Sequence, residues 1–164
     1  MEIDKLVFRK SLRENDPEAI REIIKSSGFF YQDEVDVAVE LARENLEKGP
    51  ELSGYHFILA EAEGKTLGYT CFGPIPCTKN RYDLYWIAVH EQYRKMGLGK
   101  KLIRETEAQI KALGGMKIYI ETSSRDLYQA TRRFYSACDY QVEAILKEFY
   151  DQGDDKVIYL KNLS

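Results

Sequence analysis

The stretch from Tyr82 to Leu113 restricts this chain more than any other, because a strand, a glycine-punctuated turn and a helix follow one another in it without a spacer. Leu84, Trp86 and Ala88 alternate with Tyr85, Ile87 and Val89. Both faces are therefore apolar, as in a mid-sheet strand covered by a layer on either side. Leu98, Leu102, Ile103, Ile110 and Leu113 then recur at helical spacing. The joint between them reads Arg94-Lys95-Met96-Gly97-Leu98-Gly99-Lys100. Glycine at 97 and 99 lets a ligand approach the backbone and permits angles other residues avoid. A helix opening there presents unpaired N–H groups and the positive end of its dipole, and Arg94, Lys95, Lys100 and Lys101 add cations. Such a turn suits a phosphate or diphosphate.

Spacing separates the anion sites of this kind. A nucleoside-triphosphate loop needs two glycines with four residues between them, then a lysine and a magnesium-binding hydroxyl; a dinucleotide fingerprint needs a third glycine where this chain has Leu102. What remains is Arg-x-x-Gly-x-Gly between a strand and a helix. In this the chain resembles the GCN5-related N-acetyltransferase (GNAT) family, over residues 65 to 160. The resemblance implies that Arg94, Lys95, Met96, Gly97, Leu98, Gly99 and Lys100 hold the diphosphate of acetyl-coenzyme A, a co-substrate. It also implies that backbone N–H groups of Ile87, Ala88 and Val89, freed by a bulge, polarise the thioester carbonyl. The fold it implies is α/β: a mixed sheet of about seven mostly antiparallel strands with one parallel crossover and helices on both faces.

With 164 residues the chain can bury a full core as one domain, residues 1–164. Its 24 Lys and Arg against 27 Asp and Glu leave a net charge of −3, which argues against general nucleic-acid binding. The basic cluster at 94–101 is local and suits one small polyanion rather than a polymer. Cys71, Cys77 and Cys138 are odd in number and lack metal-ligand spacing, and only His56 and His90 are there to join them. A reduced cytoplasmic protein without a metal is expected, its cysteines packing rather than reacting. The opening MEIDKLVFRKSLREND is charged from its second residue, and no apolar run reaches signal or membrane length. A soluble chain that engages no membrane is the expectation.

Elsewhere the pattern predicts a first strand at Leu6, Val7 and Phe8. A helix follows, begun by Asp16 as cap or by Asn15 with Glu18, carrying Ile20, Ile23 and Ile24 and stopping at Gly28. Phe29, Phe30 and Tyr31 form a connector that either tucks into the core or walls an acceptor pocket. Val35, Ala38, Val39, Ala42 and Leu46 mark a second helix ending at Gly49-Pro50. Residues 55–61 and 65–72 are strands joined by Glu63-Gly64, a hairpin signal. After the central helix, Gly114-Gly115 ends it and Lys117–Thr122 is the next strand, so strand, helix and strand make a parallel crossover. Ser123 or Ser124 caps a last helix with Leu127, Thr131, Phe134 and Cys138 on one face. Tyr140 to Tyr150 and Val157 to Leu160 read as strands around residues 151–155.

That last helix extends the resemblance. The family carries Asn-x-x-Ala-x-x-x-Tyr-x-x-x-Gly-Phe there, its tyrosine protonating the departing thiolate, and Tyr135 falls on that position with Tyr140 on the terminal aromatic. Tyr128, Thr131 and Asp139 stand where the family has Asn, Ala and Gly. Thr131 and Tyr135 are thus coenzyme contacts by resemblance. Asp139 tolerates the left-handed conformation that a helix end requires. A tyrosine titrates near ~10 and keeps its proton at neutral pH, whereas a thiol loses its own near ~8.5. An attacking amine must first lose a proton, and strand carboxylates often serve in the family; Asp83 is the first choice of base and Glu91 the second.

The expectation is an N-acetyltransferase moving acetyl from acetyl-coenzyme A directly to a primary amine on a small molecule or peptide. Asp33, Glu34, Asp36, Asp151, Asp154 and Asp155 hint at a cationic acceptor. A non-catalytic sensor of acetyl-coenzyme A is the alternative, and a nucleotide-phosphate binder a third reading. Monomer and homodimer remain open, relatives often pairing through their C-terminal strands.

Overall fold

The computed structural model describes residues 5–164; the charged opening at residues 1–4 lies outside them. Seven strands and four α-helices are present among the described residues: β1 (Val7–Arg9), α1 (Asp16–Ser26), α2 (Gln32–Ser53), β2 (His56–Ala62), β3 (Lys65–Pro74), β4 (Arg81–Val89), α3 (Leu98–Ala112), β5 (Lys117–Ser123), α4 (Gln129–Ala137), β6 (Gln141–Asp151) and β7 (Asp154–Asn162). The sheet runs β1-β2-β3-β4-β5-β7-β6. Its one parallel pair is β4 with β5, and the chain divides into two compact units that share β4. One unit holds Met1–Gly73 and Trp86–Ala108, the other Pro74–Tyr85 and Gln109–Ser164.

In the first unit, Glu63 and Gly64 take positive φ of 51° and 75°, the conformation that turns β2 back on β3. Both strands are then buried on both faces. Phe57, Leu59, Tyr69 and Cys71 meet Ile20, Ile23 and Ile24 of α1 and Val35, Ala38 and Ala42 of α2. The alternate residues face α3: Gly68 approaches Leu102, and the Thr70 hydroxyl lies 2.7 Å from that of Thr106. Gly68 is required by space, since a Cβ there would sit 2.9 Å from the Ala88 carbonyl oxygen. Helices on the two faces follow directly from this alternation.

Three local expectations are corrected. Asn15 occupies the cap of α1 without a side-chain hydrogen bond, and Asp16 is buried, accepting from Arg9 Nη1 and Nη2 at 2.7 and 2.8 Å. A paired arginine holds a carboxylate more strongly than a capping amide does. Gly49-Pro50 breaks α2 rather than ending it: Gly49 leaves helical angles at φ 80°, and a further turn runs to Gly54. Proline is tolerated at the first position of that new turn. Ser123 and Ser124 do not cap α4; Ser123 ends β5 and donates to Asp154, while Ser124 accepts from the Asp155 amide. A 3-10 turn at Asp126–Tyr128 precedes α4 and leaves Leu127 exposed.

In the second unit, β4 and β5 pair only from Arg81↔Lys117 to Asp83↔Tyr119. On one face of this layer Tyr82, Ile118, Ile120 and Tyr159 are buried. Tyr135 of α4 packs there, its ring 5.6 Å from Tyr159 and 6.3 Å from Tyr140. The other face carries Arg81, Asp83, Tyr119 and Glu121, because neighbouring strand residues point to opposite faces.

Candidate active site

The turn before α3 has the form its sequence requires. His90 follows β4, its N–H donating to the Leu67 carbonyl at 2.8 Å, and a 3-10 turn at Glu91–Tyr93 comes next. Lys95 and Gly97 then take φ of 62° and 77°. Gly97 supplies the left-handed step, while Gly99 lies inside the first turn of α3. Among the described residues the amides of Lys95 through Lys100 donate to no protein group; the first helical bond is Lys101 N–H to the Gly97 carbonyl at 3.2 Å. Arg94, Lys95, Met96, Gly97 and Lys100 are exposed, and Leu98 anchors the turn from beneath. Six unengaged amides, a helix N-terminus and four cations can hold an anionic group without rearranging. Ile87, Ala88 and Val89 lead into this turn half-buried.

Tyr135 is held from several sides. Its carbonyl accepts from the amides of Cys138 and Tyr140, and Asp139 closes the helix at φ 68° as a left-handed residue. Arg132 Nη1 donates to the Ser123 and Arg125 carbonyls at 2.8 and 2.9 Å, tying α4 to the end of β5. Burial, with smaller contributions from Tyr159 and Cys138, raises the Tyr135 phenol well above its ordinary range. Its hydroxyl makes no hydrogen bond among the described residues. Thr131 sits one helical turn earlier, half-buried.

Asp83 lies on the opposite face of the same unit, on the wall of a cavity of about 710 Å³. Tyr119 and Glu121 of β5, Glu143 of β6 and Ile158 of β7 complete the far side. Ile75, Thr78 and Lys79, from the loop before β4, line it together with Arg81. Glu121 is held by Lys156 at 2.8 Å, and the Lys156 ammonium also stands 3.7 Å from the Phe149 ring centroid. Burial and then the like charge of Glu121 push the Asp83 carboxyl up to about 6, against a smaller opposing pull from Lys156. The Asp83 carboxylate makes no hydrogen bond or ion pair among the described residues.

Sequence reasoning did not single out Tyr119, Glu121 or Lys156. The signal was present in Lys117, Tyr119 and Glu121, which alternate with buried Ile118 and Ile120 and so announce a polar face. Glu91 is exposed, its amide donating to the Ser26 hydroxyl oxygen at 3.0 Å. Of the aromatic connector, Phe30 packs on the core and edge-on to Trp86 at 5.3 Å, Phe29 stacks on Phe30, and Tyr31 is exposed. Cys71 is fully buried, and burial pushes its thiol well up. Most of the acidic residues noted along the chain are engaged internally. Asp36 pairs with Arg21 at 3.0 Å, Glu34 accepts the Tyr31 amide, Asp154 pairs with Arg125 at 3.3 Å, and Asp155 pairs with Lys147 at 3.1 Å.

A mixed seven-stranded sheet in which β4 and β5 pair in parallel places the chain among α/β proteins. The profile described as Acetyltransferase (GNAT) family matches residues 18–140, and the chain belongs to that family, as an N-acetyltransferase enzyme. It is similar, at 41% identity and a TM-score of 0.95, to the crystal structure of a protein assigned to the GNAT family from Desulfovibrio desulfuricans, over 98% of this chain and 100% of that one. It is similar to the uncharacterised N-acetyltransferase YvbK of Bacillus subtilis, 32% identical over 73 residues, or 44% of this chain and 46% of that one. The matched stretch thus spans about half the length of that curated relative. An aminoglycoside 6'-N-acetyltransferase complexed with coenzyme A shares the fold at a TM-score of 0.78 and 16% identity, over 96% of this chain and 97% of that one. Among the described residues no helix is long and apolar enough to cross a membrane.

Proposed function

We propose that the chain transfers acetyl from acetyl-coenzyme A directly to a primary amine, with Asp83 as base, acting directly or through a water, and Tyr135 as acid. It works as one catalytic domain in the cytoplasm, as a monomer or homodimer, on a small-molecule or peptide amine. The observation that carries this reading is the Asp83 carboxyl, half-buried on a cavity wall and raised to about 6. At neutral pH it is ionised yet more basic than an ordinary carboxylate, as a proton acceptor should be. Glu91, exposed beyond the strand end, is the weaker choice.

The coenzyme supplies the acyl group as a thioester. The free amides and cations of Arg94 to Lys100 fit its diphosphate, with Thr131 and Tyr135 contacting it from α4. N–H groups of Ile87, Ala88 and Val89 draw charge from the carbonyl. Asp83 and Tyr135 lie on opposite faces of the layer that holds β4 and β5, so the reacting atoms would sit where these two strands stop pairing beyond Asp83↔Tyr119. As the C–N bond forms and the C–S bond breaks there, Asp83 takes the amine proton, directly or through a water, and the Tyr135 phenol gives its proton to the departing sulfur. Burial keeps that proton on Tyr135 at any physiological pH. The same dry surroundings raise the proton affinity of a bare thiolate, so donation follows the charge onto sulfur. Screening amines for thiol release from acetyl-coenzyme A, beside mass spectrometry of the protein, tests the scheme. Amine-dependent release without an acetylated protein is expected, and a stoichiometric acetyl-cysteine would overturn direct transfer.

A further inference from the structure

We infer that the cavity beside Asp83 takes an amine acceptor that also carries a carboxylate, in the manner of an amino acid or short peptide, with the carboxylate lying toward Lys79 and Arg81. The inference rests on the transfer reading above, in that Asp83 marks the amine end. What it adds is the second charge of the acceptor, which the hint from acidic sequence segments would have made positive.

Two features of the lining carry it. The charges are segregated along the strand direction. Lys79 and Arg81 stand at the beginning of β4, whereas Asp83 comes two residues later and Glu121 lies beyond the Asp83↔Tyr119 pair on the parallel strand. Same-face positions on a strand are about 6.6 Å apart, a span that a short aliphatic linker covers. The charges also balance. Asp83, Glu121 and Glu143 face Lys79 and Arg81, and Lys156 already neutralises Glu121 at 2.8 Å. A polyamine or aminoglycoside entering this cavity would meet as much positive charge as negative and leave its second ammonium beside Lys79 and Arg81. A zwitterion satisfies both ends, and Ile75, Ala144 and Ile158 offer apolar surface to the carbon chain between them. The space beside Asp83, about 710 Å³, is a groove open to solvent, which leaves room for a peptide extension.

Three amines of matched length separate the possibilities: ε-aminocaproate, hexylamine and hexamethylenediamine. Calorimetric titration of each into the protein saturated with coenzyme A is paired with thiol release from acetyl-coenzyme A using the same three. The carboxylated amine should bind at least about tenfold tighter than the other two, the effect of one well-placed charged hydrogen bond. In the Lys79→Ala, Arg81→Gln double variant, with folding verified by circular dichroism, that advantage should narrow to about threefold or less. Equal or tighter binding of the diamine, or an advantage undiminished in the double variant, overturns the inference. Selective binding of ε-aminocaproate with no thiol release from any amine keeps the cavity assignment and sinks the transfer reading. Thiol release that favours hexylamine or the diamine does the reverse.

Discussion

Replacing Asp83 by Asn should make the protein more stable and less active at once. The carboxyl is raised from 3.8 to about 6, mainly by burial, so the folded state binds its proton more tightly than the unfolded chain does. Stability therefore falls as pH rises through the window between about 4 and about 6, and the loss is complete above it. A shift of about two units corresponds to about 3 kcal/mol, and solvent screening at a half-exposed position reduces this to roughly 1 kcal/mol. Asparagine keeps the shape and carries no charge, so the variant should melt roughly 2–4 °C higher at pH 7.5, with the gain gone near pH 4. Over the same range kcat/KM should drop about a hundredfold or more, as expected for a lost general base. The acid limb of the pH–rate profile, with a midpoint near 6 in the native protein, should vanish in the variant. Differential scanning fluorimetry across pH and a thiol-release assay on the same preparations give both readouts. A variant that melts lower at pH 7.5, or whose acid limb persists near 6, refutes the reasoning.

Three further outcomes are expected. Tyr135→Phe should lower kcat about ten- to a hundredfold while coenzyme A affinity, measured by calorimetry, stays within about twofold; the native pH profile should show no alkaline limb from this phenol below pH 10, since burial holds its proton. Gly97→Ala forces a side chain into φ 77°, so it should cost roughly 1–2 kcal/mol of stability in chemical denaturation and weaken coenzyme A binding. Tyr69 is fully buried and its hydroxyl has no hydrogen-bond partner among the described residues, so Tyr69→Phe should stabilise by about 1 kcal/mol in the same assay.

Much of this architecture is legible in the sequence because it depends on neighbours along the chain. The apolar run ending at Val89, the glycine at 97 and the helical repeat from Leu98 specify a strand, a left-handed turn and an amphipathic helix locally, and all three occur. β4 is nevertheless covered less than its two-faced pattern implies: Tyr82 and Leu84 are buried, Tyr85 is exposed and Trp86 to Val89 are half-buried. Glu63-Gly64 likewise determines its hairpin. What escaped sequence reading depends on contacts far apart in the chain. Asp16 looks like a cap until Arg9 is placed beside it, and Ser123 looks like one until Asp154 arrives from 31 residues away. The environment of Asp83 is of the same kind. Its carboxyl is raised by burial and by Glu121 from β5, against the opposing pull of Lys156 from β7, and the opposition of Lys79 and Arg81 to those carboxylates exists only once β4 to β7 share one layer.

The most direct test of the account is an amide NMR titration with coenzyme A. Free main-chain donors at the mouth of α3 should take up the diphosphate, so the amide resonances of residues 95–100 should shift the most, and ATP at the same concentration should move them far less. Large shifts confined to other segments, with residues 95–100 unmoved by coenzyme A, would contradict it.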